Sequence, residues 1–277
     1  MVIDSRRRLG NGRLRIGGGL LALLLAAALL APWLSPYDPQ AMPFVPLSLP
    51  DGSHWLGVND AGMDLFAELL YGLRNSLAFG LVGGFAALAL GVAVGLMTAW
   101  YGGAVDAVGM RLADVLLAIP LVMPLLLLAV LAPPSPLLLA LLLALLSWPS
   151  TARAIRAQAL SLRNRPHVAA ARQMGGSTFY ILGRHLLPEL APLFLAGLAG
   201  KIRMALAMEV SLAFLGLFEP GRKSLGQTLR DGIQYYYLDI WWHWLLPPLL
   251  CLSLLILSLT LLAVGCEALF DSRLREG

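Results

Sequence analysis

The chain has 277 residues, of which 58% are hydrophobic and only 13% are charged, and it carries a net charge of +4. A soluble domain has about 25% charged residues, so this composition excludes that class and indicates membrane spans. Nucleic-acid binding is excluded as well, because the basic residues lie beside the apolar runs without interleaved aromatic side chains. Long apolar runs also differ from the short alternating segments of a membrane β-barrel, so we predict an all-α polytopic membrane protein.

Six apolar runs are long enough to cross a bilayer as helices. In chain order they cover residues 16–34, 73–100, 107–131, 137–158, 190–217 and 242–268. The first run ends at Pro32-Trp33 without a signal-peptidase site, which predicts an uncleaved anchor. We therefore divide the chain into residues 1–72, a transmembrane helix plus an extracytoplasmic segment, and residues 73–277, a five-helix core with a cytoplasmic loop at about 159–187.

The distribution of basic residues predicts the orientation of the spans. Five arginines precede the first span, six lie between residues 153 and 184, and Arg273 and Arg275 are in the C-terminal tail. Because short basic loops stay in the cytoplasm, we place both termini and the 153–184 stretch there. Residues 35–72 contain acids but no Lys or Arg, which places them outside; their prolines favour extended chain, with a short helix possible at 63–71.

Two features of the spans predict their packing. Pro120 and Pro124 interrupt the third span, and the second span carries Gly80-x-x-x-Gly84 and Gly91-x-x-x-Gly95, a pattern that favours close helix contact. The outer 219–240 loop is unusual because it contains basic residues. We expect its acids to pair with its bases; these are Glu219, Arg222, Lys223, Arg230, Asp231 and Asp239.

The stretch from Ser147 to Pro188 is the most informative part of the sequence. It is basic and amphipathic, and its Ala-rich piece, its Gly175-Gly176 pair and its closing His-x-x-Pro predict two short helices with a bend between them. Such an element is suited to contact a cytoplasmic protein. The alternative is an interfacial amphipathic helix whose basic face binds anionic lipid.

No catalytic group emerges from the sequence. The four histidines are scattered, and none has metal-ligand spacing to another histidine or to cysteine. The stretch from Gly216 to Ser224 resembles a phosphate-binding loop, but Arg222 interrupts the Gly-Lys-Ser order and an apolar span precedes it. We therefore expect no enzyme activity and no cofactor in this chain; if transport is driven by ATP, the ATPase is another chain.

The predicted bent loop is similar to the "EAA" loop of ABC importer permeases. The resemblance rests on His167-Val-Ala-Ala-Ala-Arg-Gln-Met-Gly175 and on Arg184-His185-Leu-Leu-Pro188. Other segments resemble the C-type permease of dipeptide, oligopeptide and nickel importers. These are His54-Trp-Leu-Gly-Val-Asn-Asp-Ala-Gly-Met-Asp64, Tyr71-Gly-Leu-Arg-Asn-Ser76, Met110-Arg-Leu-Ala-Asp114 through Pro120, and Glu209-Val-Ser-Leu-Ala-Phe-Leu-Gly216. Ala169 replaces the usual Glu of the loop motif, and Val58-Asn59 replaces the usual Thr-Asp.

The resemblance implies a type I ABC importer permease fold with six transmembrane helices in a bacterial or archaeal inner membrane. It implies a second permease subunit, two ATP-binding subunits that hold ATP and Mg, and an extracytoplasmic substrate-binding protein; the spans themselves contact lipid. It also implies a coupling helix that contacts the ATPase. Its residues here are Ala169, Ala170, Ala171, Gly175, Gly176, His185 and Pro188. The implied substrates are di- or oligopeptides, with nickel or a metal chelate as the alternative.

The fifth span contains charges in an otherwise apolar run. We predict that Lys201, Met204, Met208 and Glu209 line the translocation path. The alternative is that Lys201 and Arg203, about 160° apart around a helix axis, pair with neighbouring helices and extend toward the cytoplasm. A proton-coupled secondary transporter with Glu209 as the carrier is a further alternative, although no internal inverted repeat is visible.

Overall fold

A computed structural model of the chain describes residues 2–131, 135–217 and 222–270, with the side chains of residues 2–10, 129 and 267–270 left out of the description. These residues form helices, and the one β-feature among them is an isolated bridge between Val58 and Asp64. The helices are α1 Val2–Leu29, α2 Ala31–Leu34, α3 Leu65–Tyr101, α4 Gly103–Ala118, α5 Val122–Leu131, α6 Pro136–Arg163, α7 Pro166–Gln173, α8 Thr178–Ile181, α9 Leu187–Phe214, α10 Leu225–Ile233 and α11 Trp241–Phe270. Arg273, Arg275 and Glu219, which entered the sequence predictions, lie outside the described residues.

Among the described residues, five helices are long and apolar enough to cross a membrane, and a sixth crossing is possible if the bent pair α4 and α5 forms one span. The axes of α4 and α5 differ by 75°. The break lies at Pro120, where the sequence predicts an interruption of the third span. Proline lacks the N–H that would continue the helix, and it disfavours helical backbone at the preceding residue, so Ile119 is extended. The predicted all-α membrane fold is confirmed.

The second span begins earlier than the sequence predicts. Helix α3 starts at Leu65, eight residues before the predicted start, because Asp64 caps it by accepting a hydrogen bond from the Ala67 N–H at 2.8 Å. The short outer helix expected at residues 63–71 is therefore the first two turns of α3. With 37 residues, α3 is about 55 Å long and connects the two ends of the bundle.

Helix α3 lies at the centre of the bundle, and its glycines set the distance to its neighbours. A Cβ on Gly84 would lie 2.6 Å from Ile202 in α9, and one on Gly95 would lie 2.7 Å from the Ala152 carbonyl oxygen in α6. The two Gly-x-x-x-Gly pairs thus serve two different helices: Gly80 and Gly84 face α9, and Gly91 and Gly95 face α6. Small residues allow this close backbone approach.

Helices α1 and α11 pack against each other in antiparallel directions on one flank. A Cβ on Gly17 would lie 2.8 Å from Leu261, and one on Gly265 would lie 2.6 Å from Leu14. The start of α1 and the end of α11 therefore lie at the same end of the bundle. We call this the loop end, because residues 159–187 are also there; the opposite end, with residues 35–64 and 222–240, is the segment end.

The helix α8 is continuous with α9 through a π-helical turn at Leu182–Leu186. The Leu187 N–H donates to the Leu182 carbonyl, five residues back. This turn directly precedes Pro188, which has no N–H to donate to the carbonyl of Arg184. The second predicted short helix of the loop is thus the first part of one helix that runs from Thr178 to Phe214.

Candidate functional site

The 159–187 loop contains a helical hairpin bend that the local sequence explains. Helix α7 begins at Pro166, whose fixed backbone angle suits a first helical position, and it ends in a Schellman motif. The Gly176 N–H donates to the Ala171 carbonyl at 3.0 Å, and the Gly175 N–H donates to the Arg172 carbonyl at 3.1 Å. Gly175 has φ +81°, a left-handed conformation that favours glycine. The bend predicted at the Gly pair is present.

The two glycines of the bend have different physical roles. A Cβ on Gly175 would meet nothing within 4 Å, so only its backbone angle requires glycine. A Cβ on Gly176 would lie 2.8 Å from the Ala171 carbonyl oxygen, so steric contact restricts that position. After the bend, Ser177 caps α8 by accepting a hydrogen bond from the Tyr180 N–H at 3.3 Å.

The inner face of the loop packs on the ends of α3 and α6. Val168, Ile181 and Leu186 are each 1% exposed and belong to one apolar cluster with Leu96 and Ile155. The inner face of the loop is therefore part of the apolar core at the loop end of the bundle.

The outer face of the loop exposes apolar side chains. Met174 is 87% exposed and Phe179 is 85% exposed, at either side of the Gly175 bend. Ala169 and Ala170 are also exposed, whereas Ala171 is half-buried against the inner cluster. Met174 and Phe179 thus form an exposed apolar surface at the tip of the loop that no described residue covers.

His185 and Pro188 lie farther from the tip. His185 is half-buried, between His167 and Tyr180, with ring centroids 5.8 and 5.7 Å away, and its Nε2 has no hydrogen-bond partner among the described residues. Pro188 is exposed in the first turn of α9. Glu189 accepts hydrogen bonds from Arg165 at 2.8 Å and pairs with His167 at 2.9 Å.

Trp100, near the end of α3, contacts two residues of the loop and was not identified by the sequence analysis. Its indole N–H donates to Thr178 Oγ1 at 3.1 Å, and the Arg172 guanidinium lies 4.6 Å from its ring centroid. Arg163 donates to the carbonyls of Ala99 and Trp100 at 2.9 and 3.1 Å. A tryptophan at the end of an apolar run was the only sequence signal for this contact.

Lys201 and Met204 lie in one cavity of about 340 Å³ between α6 and α9. Lys201 is 8% exposed, and its Nζ donates to the Ser147 carbonyl and, at 2.8 Å, to Ser150 Oγ. Arg203 points to a different neighbour, because it donates to Thr260 Oγ1 in α11 at 2.8 Å. This pairing with separate helices agrees with the opposite helix faces expected for these two cations.

Glu209 occupies a second, separate polar cluster that α3, α9 and α10 enclose. It has no exposed surface, and its Oε2 accepts a hydrogen bond from Ser76 Oγ at 3.0 Å. Ser76 Oγ in turn accepts from the Leu225 N–H at 3.1 Å, while Glu209 Oε1 has no partner within the described parts of the chain. Met208 packs in an apolar cluster beside α3 and α6. The structure thus brings Lys201 and Met204 together, but it separates them from Met208 and Glu209.

The segment end contains a buried ion pair that the sequence analysis assigned differently. Lys223 pairs with Glu68 of α3, whose carboxylate is 3% exposed and also accepts from Asn59 Nδ2 at 2.9 Å. The expected pairing within the 219–240 loop was therefore wrong for Lys223, because the start of α3 presents a closer carboxylate. Burial raises the pKa of Asp231, and the nearby charges of Lys223 and Arg230 oppose this shift.

Polar residues of the sequence motifs have specific partners in the structure. Ser76, from the Tyr71–Ser76 motif, bonds Glu209, the first residue of the 209–216 motif. His54 and Asp64, at the two ends of another motif, are 2.8 Å apart, and Asp114 pairs with Arg153 beside the loop. Two of the motifs thus contact each other through Ser76 and Glu209, a third is joined within itself by His54 and Asp64, and a fourth contacts α6 through Arg153.

Comparison with known proteins supports the resemblance to ABC importer permeases that the sequence motifs show. A family described as "Binding-protein-dependent transport system inner membrane component" matches residues 91–276, and one described as "N-terminal TM domain of oligopeptide transport permease C" matches residues 6–50. A Brucella abortus protein, provisionally named a peptide transport system permease, is 36% identical across 99% of this chain and 93% of its own length. The Bacillus subtilis dipeptide transport system permease protein DppC is 30% identical across 99% of this chain and 86% of its own length.

The fold has a counterpart among solved structures. A chain of the MetNI methionine ABC transporter, in inward-facing conformations, aligns with a TM-score of 0.51 at 19% identity, covering 75% of this chain and 95% of that chain. At this identity the likeness concerns the fold alone. Together with the matched families and relatives, the arrangement of motifs leads to one conclusion: the chain belongs to the binding-protein-dependent transport inner-membrane components, as an ABC importer permease of the peptide group.

Proposed function

We propose that this chain is one permease subunit of an ATP-driven importer of di- or oligopeptides. It forms the translocation path with a second permease and works with two ATP-binding subunits and an extracytoplasmic substrate-binding protein. The peptide class rests on the names of the relatives, which are peptide and dipeptide transport permeases. The observation that carries the coupling role is the exposed apolar tip of the 159–187 loop, fixed by a Schellman bend and by Trp100.

The loop tip is suited to a protein partner. Met174 and Phe179 are almost fully exposed, and Arg172 and Arg184 add positive charge around them. An ATPase groove with apolar walls and an acidic rim would cover both kinds of side chain. Ala169, Ala170 and Gly175 have small or absent side chains on this face, so the backbone of the loop can approach its partner closely.

The helix from Thr178 to Phe214 offers a direct mechanical connection from the loop to the membrane. It begins beside the bend, passes Lys201 and reaches Glu209 without a break other than the π-helical turn. A displacement of the loop by ATPase closure would move this helix as one body. We propose that this motion opens and closes the path near Lys201 and Met204, with Met208 and Glu209 adjusting the packing nearer the segment end.

The proposed topology has the loop end in the cytoplasm and the segment end outside. Single cysteines at Ser161 and Ser53 test it with a thiol reagent that does not cross the membrane. We expect labelling at position 53 in intact cells and labelling at position 161 only after permeabilisation. The reverse pattern would invert the topology and remove the loop from contact with a cytoplasmic ATPase.

Docking of the loop is tested by cross-linking. Phe179→Cys should form an adduct with an ATPase subunit through a short bifunctional reagent, while Leu138→Cys, exposed at the start of α6 and far from the loop, should not. The same complex in vesicles should take up labelled peptide only with ATP. Uptake driven by a proton gradient without ATPase subunits would instead establish the secondary-transporter alternative.

A further inference from the structure

The cavity at Lys201 lies along the membrane-spanning helix Thr178–Phe214, away from both of its ends. Lys201 is 23 residues after Thr178 and 13 before Phe214, so it is about 35 Å and about 20 Å from these ends. Its ammonium group has three N–H donors, and two are used by Ser147 O and Ser150 Oγ. Among the side chains that the structure describes, no carboxylate lies within ion-pair distance of Nζ.

The walls of the cavity are otherwise apolar or small, and all of them come from α6 and α9. Gly200 is informative, because a Cβ there would meet only the Arg203 guanidinium, at 3.9 Å. Packing inside this chain therefore does not require glycine at position 200. The absent side chain keeps space in the cavity, next to the Lys201 ammonium group.

We propose that Lys201 binds the C-terminal carboxylate of the transported peptide in this cavity. The cation lacks a counter-charge of its own, has a free donor, and lines a volume of about 340 Å³, within the range of small-ligand sites. A free C-terminal carboxylate is common to peptides whatever their side chains, and the small wall residues leave room for varied side chains. This inference rests on the proposed function, since it names the chemical group that the importer recognises in the membrane.

The test measures how peptides protect a cysteine in the cavity. In the complete purified complex, without binding protein, Met204→Cys is labelled with a small maleimide and followed by mass spectrometry. Alanyl-alanine should slow the labelling at concentrations about tenfold lower than alanyl-alaninamide, which lacks the carboxylate. Adding Lys201→Gln should abolish this difference, whereas Arg203→Gln, which removes a half-buried cation on another face of the same helix, should preserve it.

Two further measurements keep the test decisive. Gly200→Leu should fill the cavity and prevent protection by alanyl-alanine while the complex stays assembled. In the Met204→Cys variant that retains Lys201, equal protection by alanyl-alanine and alanyl-alaninamide, or protection by neither, would overturn the inference. The labelling is repeated with the complex in vesicles with and without phosphatidylglycerol. If this lipid slows the labelling in a way that depends on Lys201 and is unchanged by peptide, a lipid headgroup is the ligand and the inference is overturned as well.

Failure of this inference differs from failure of the proposed function. ATP-dependent uptake of alanyl-alanine by the full transporter, with Lys201→Gln as active as wild type and equally selective against the amide, would remove the carboxylate site alone. Absence of ATP-dependent peptide uptake in the wild type would remove both. Loss of selectivity in Lys201→Gln with normal complex levels would support both.

Discussion

The two ends of the helix bundle use polar and apolar side chains in opposite ways. At the segment end, Glu68, Lys223 and Asn59 form a buried polar network that joins the start of α3 to the chain before α10. At the loop end, Met174 and Phe179 are exposed, and the ion pairs of Glu189 lie at the surface. The comparison indicates that the segment end is stabilised by contacts within the chain, whereas the loop end leaves apolar surface exposed, as the proposed docking to another protein requires.

The largest effect is expected at the buried pair of the segment end. Glu68→Gln keeps the size of the side chain but removes the carboxylate that pairs with Lys223 in a mostly buried site, which should cost about 3–5 kcal/mol of stability. The matched control is Glu189→Gln at the loop end, where an exposed pair contributes about 0–1 kcal/mol. Thermal unfolding of the purified complex measures both. Equal melting temperatures for the two variants would remove the contrast between the ends.

The bend of the loop provides the second prediction. Gly175→Leu should reduce peptide-stimulated ATP hydrolysis severalfold while membrane insertion is unchanged, because a leucine at φ +81° strains the Schellman motif by about 1–2 kcal/mol. Gly175→Asn is the control, since asparagine adopts this backbone conformation more readily. No atom lies within 4 Å of the added Cβ, so the two variants differ mainly in backbone strain. Equal, wild-type coupling in both would show that the bend is not needed.

Glu209 tests the enclosed cluster between the two ends. Glu209→Ala removes the acceptor of the Ser76 hydroxyl and should lower peptide uptake about fivefold at unchanged complex levels. Glu209→Gln retains an acceptor oxygen and should keep most of the uptake, which distinguishes a positioning role from a requirement for charge. Uptake lost equally in both variants would favour Glu209 as a charged or proton-carrying group.

Arg203 provides a comparison with Lys201, because it lies on the opposite side of the helix α9. Arg203→Ala removes the hydrogen bond to Thr260 in α11 and should reduce the amount of assembled complex more than the uptake per complex. Quantitative immunoblotting beside the transport assay separates the two quantities. Normal assembly with poor uptake would instead place Arg203 on the transport path.

The smallest effect is expected at Ala169. This residue is exposed in the first turn of α7, so Ala169→Glu should change stability by no more than about 0.5 kcal/mol, in part because an acid is favourable at a helix N-terminus. Peptide-stimulated ATP hydrolysis should stay at the wild-type level. A strong loss of hydrolysis would mean that the partner surface has changed together with the missing glutamate.

Local sequence patterns determined much of the secondary structure of this protein. Hydropathy predicted the helical spans, Pro120 predicted the break between α4 and α5, and the Gly pair predicted the bend of the loop. These predictions succeed because span length, proline geometry and left-handed glycine depend on a few neighbouring residues. The family resemblance was likewise readable from short motifs, and the matched relatives confirm it.

Tertiary structure alone decided which polar groups meet. Glu68 and Lys223 are far apart in the chain, and so are Ser76 and Glu209, so no local pattern could pair them. The same holds for the predicted path residues: a helix presents Lys201 and Glu209 about 80° apart, and only the packing of neighbours places one beside a cavity and encloses the other. The sequence by itself determined the helices, the bend and the family; helix rotation and packing determined the environment of each buried charge, because that environment is made of residues from other parts of the chain.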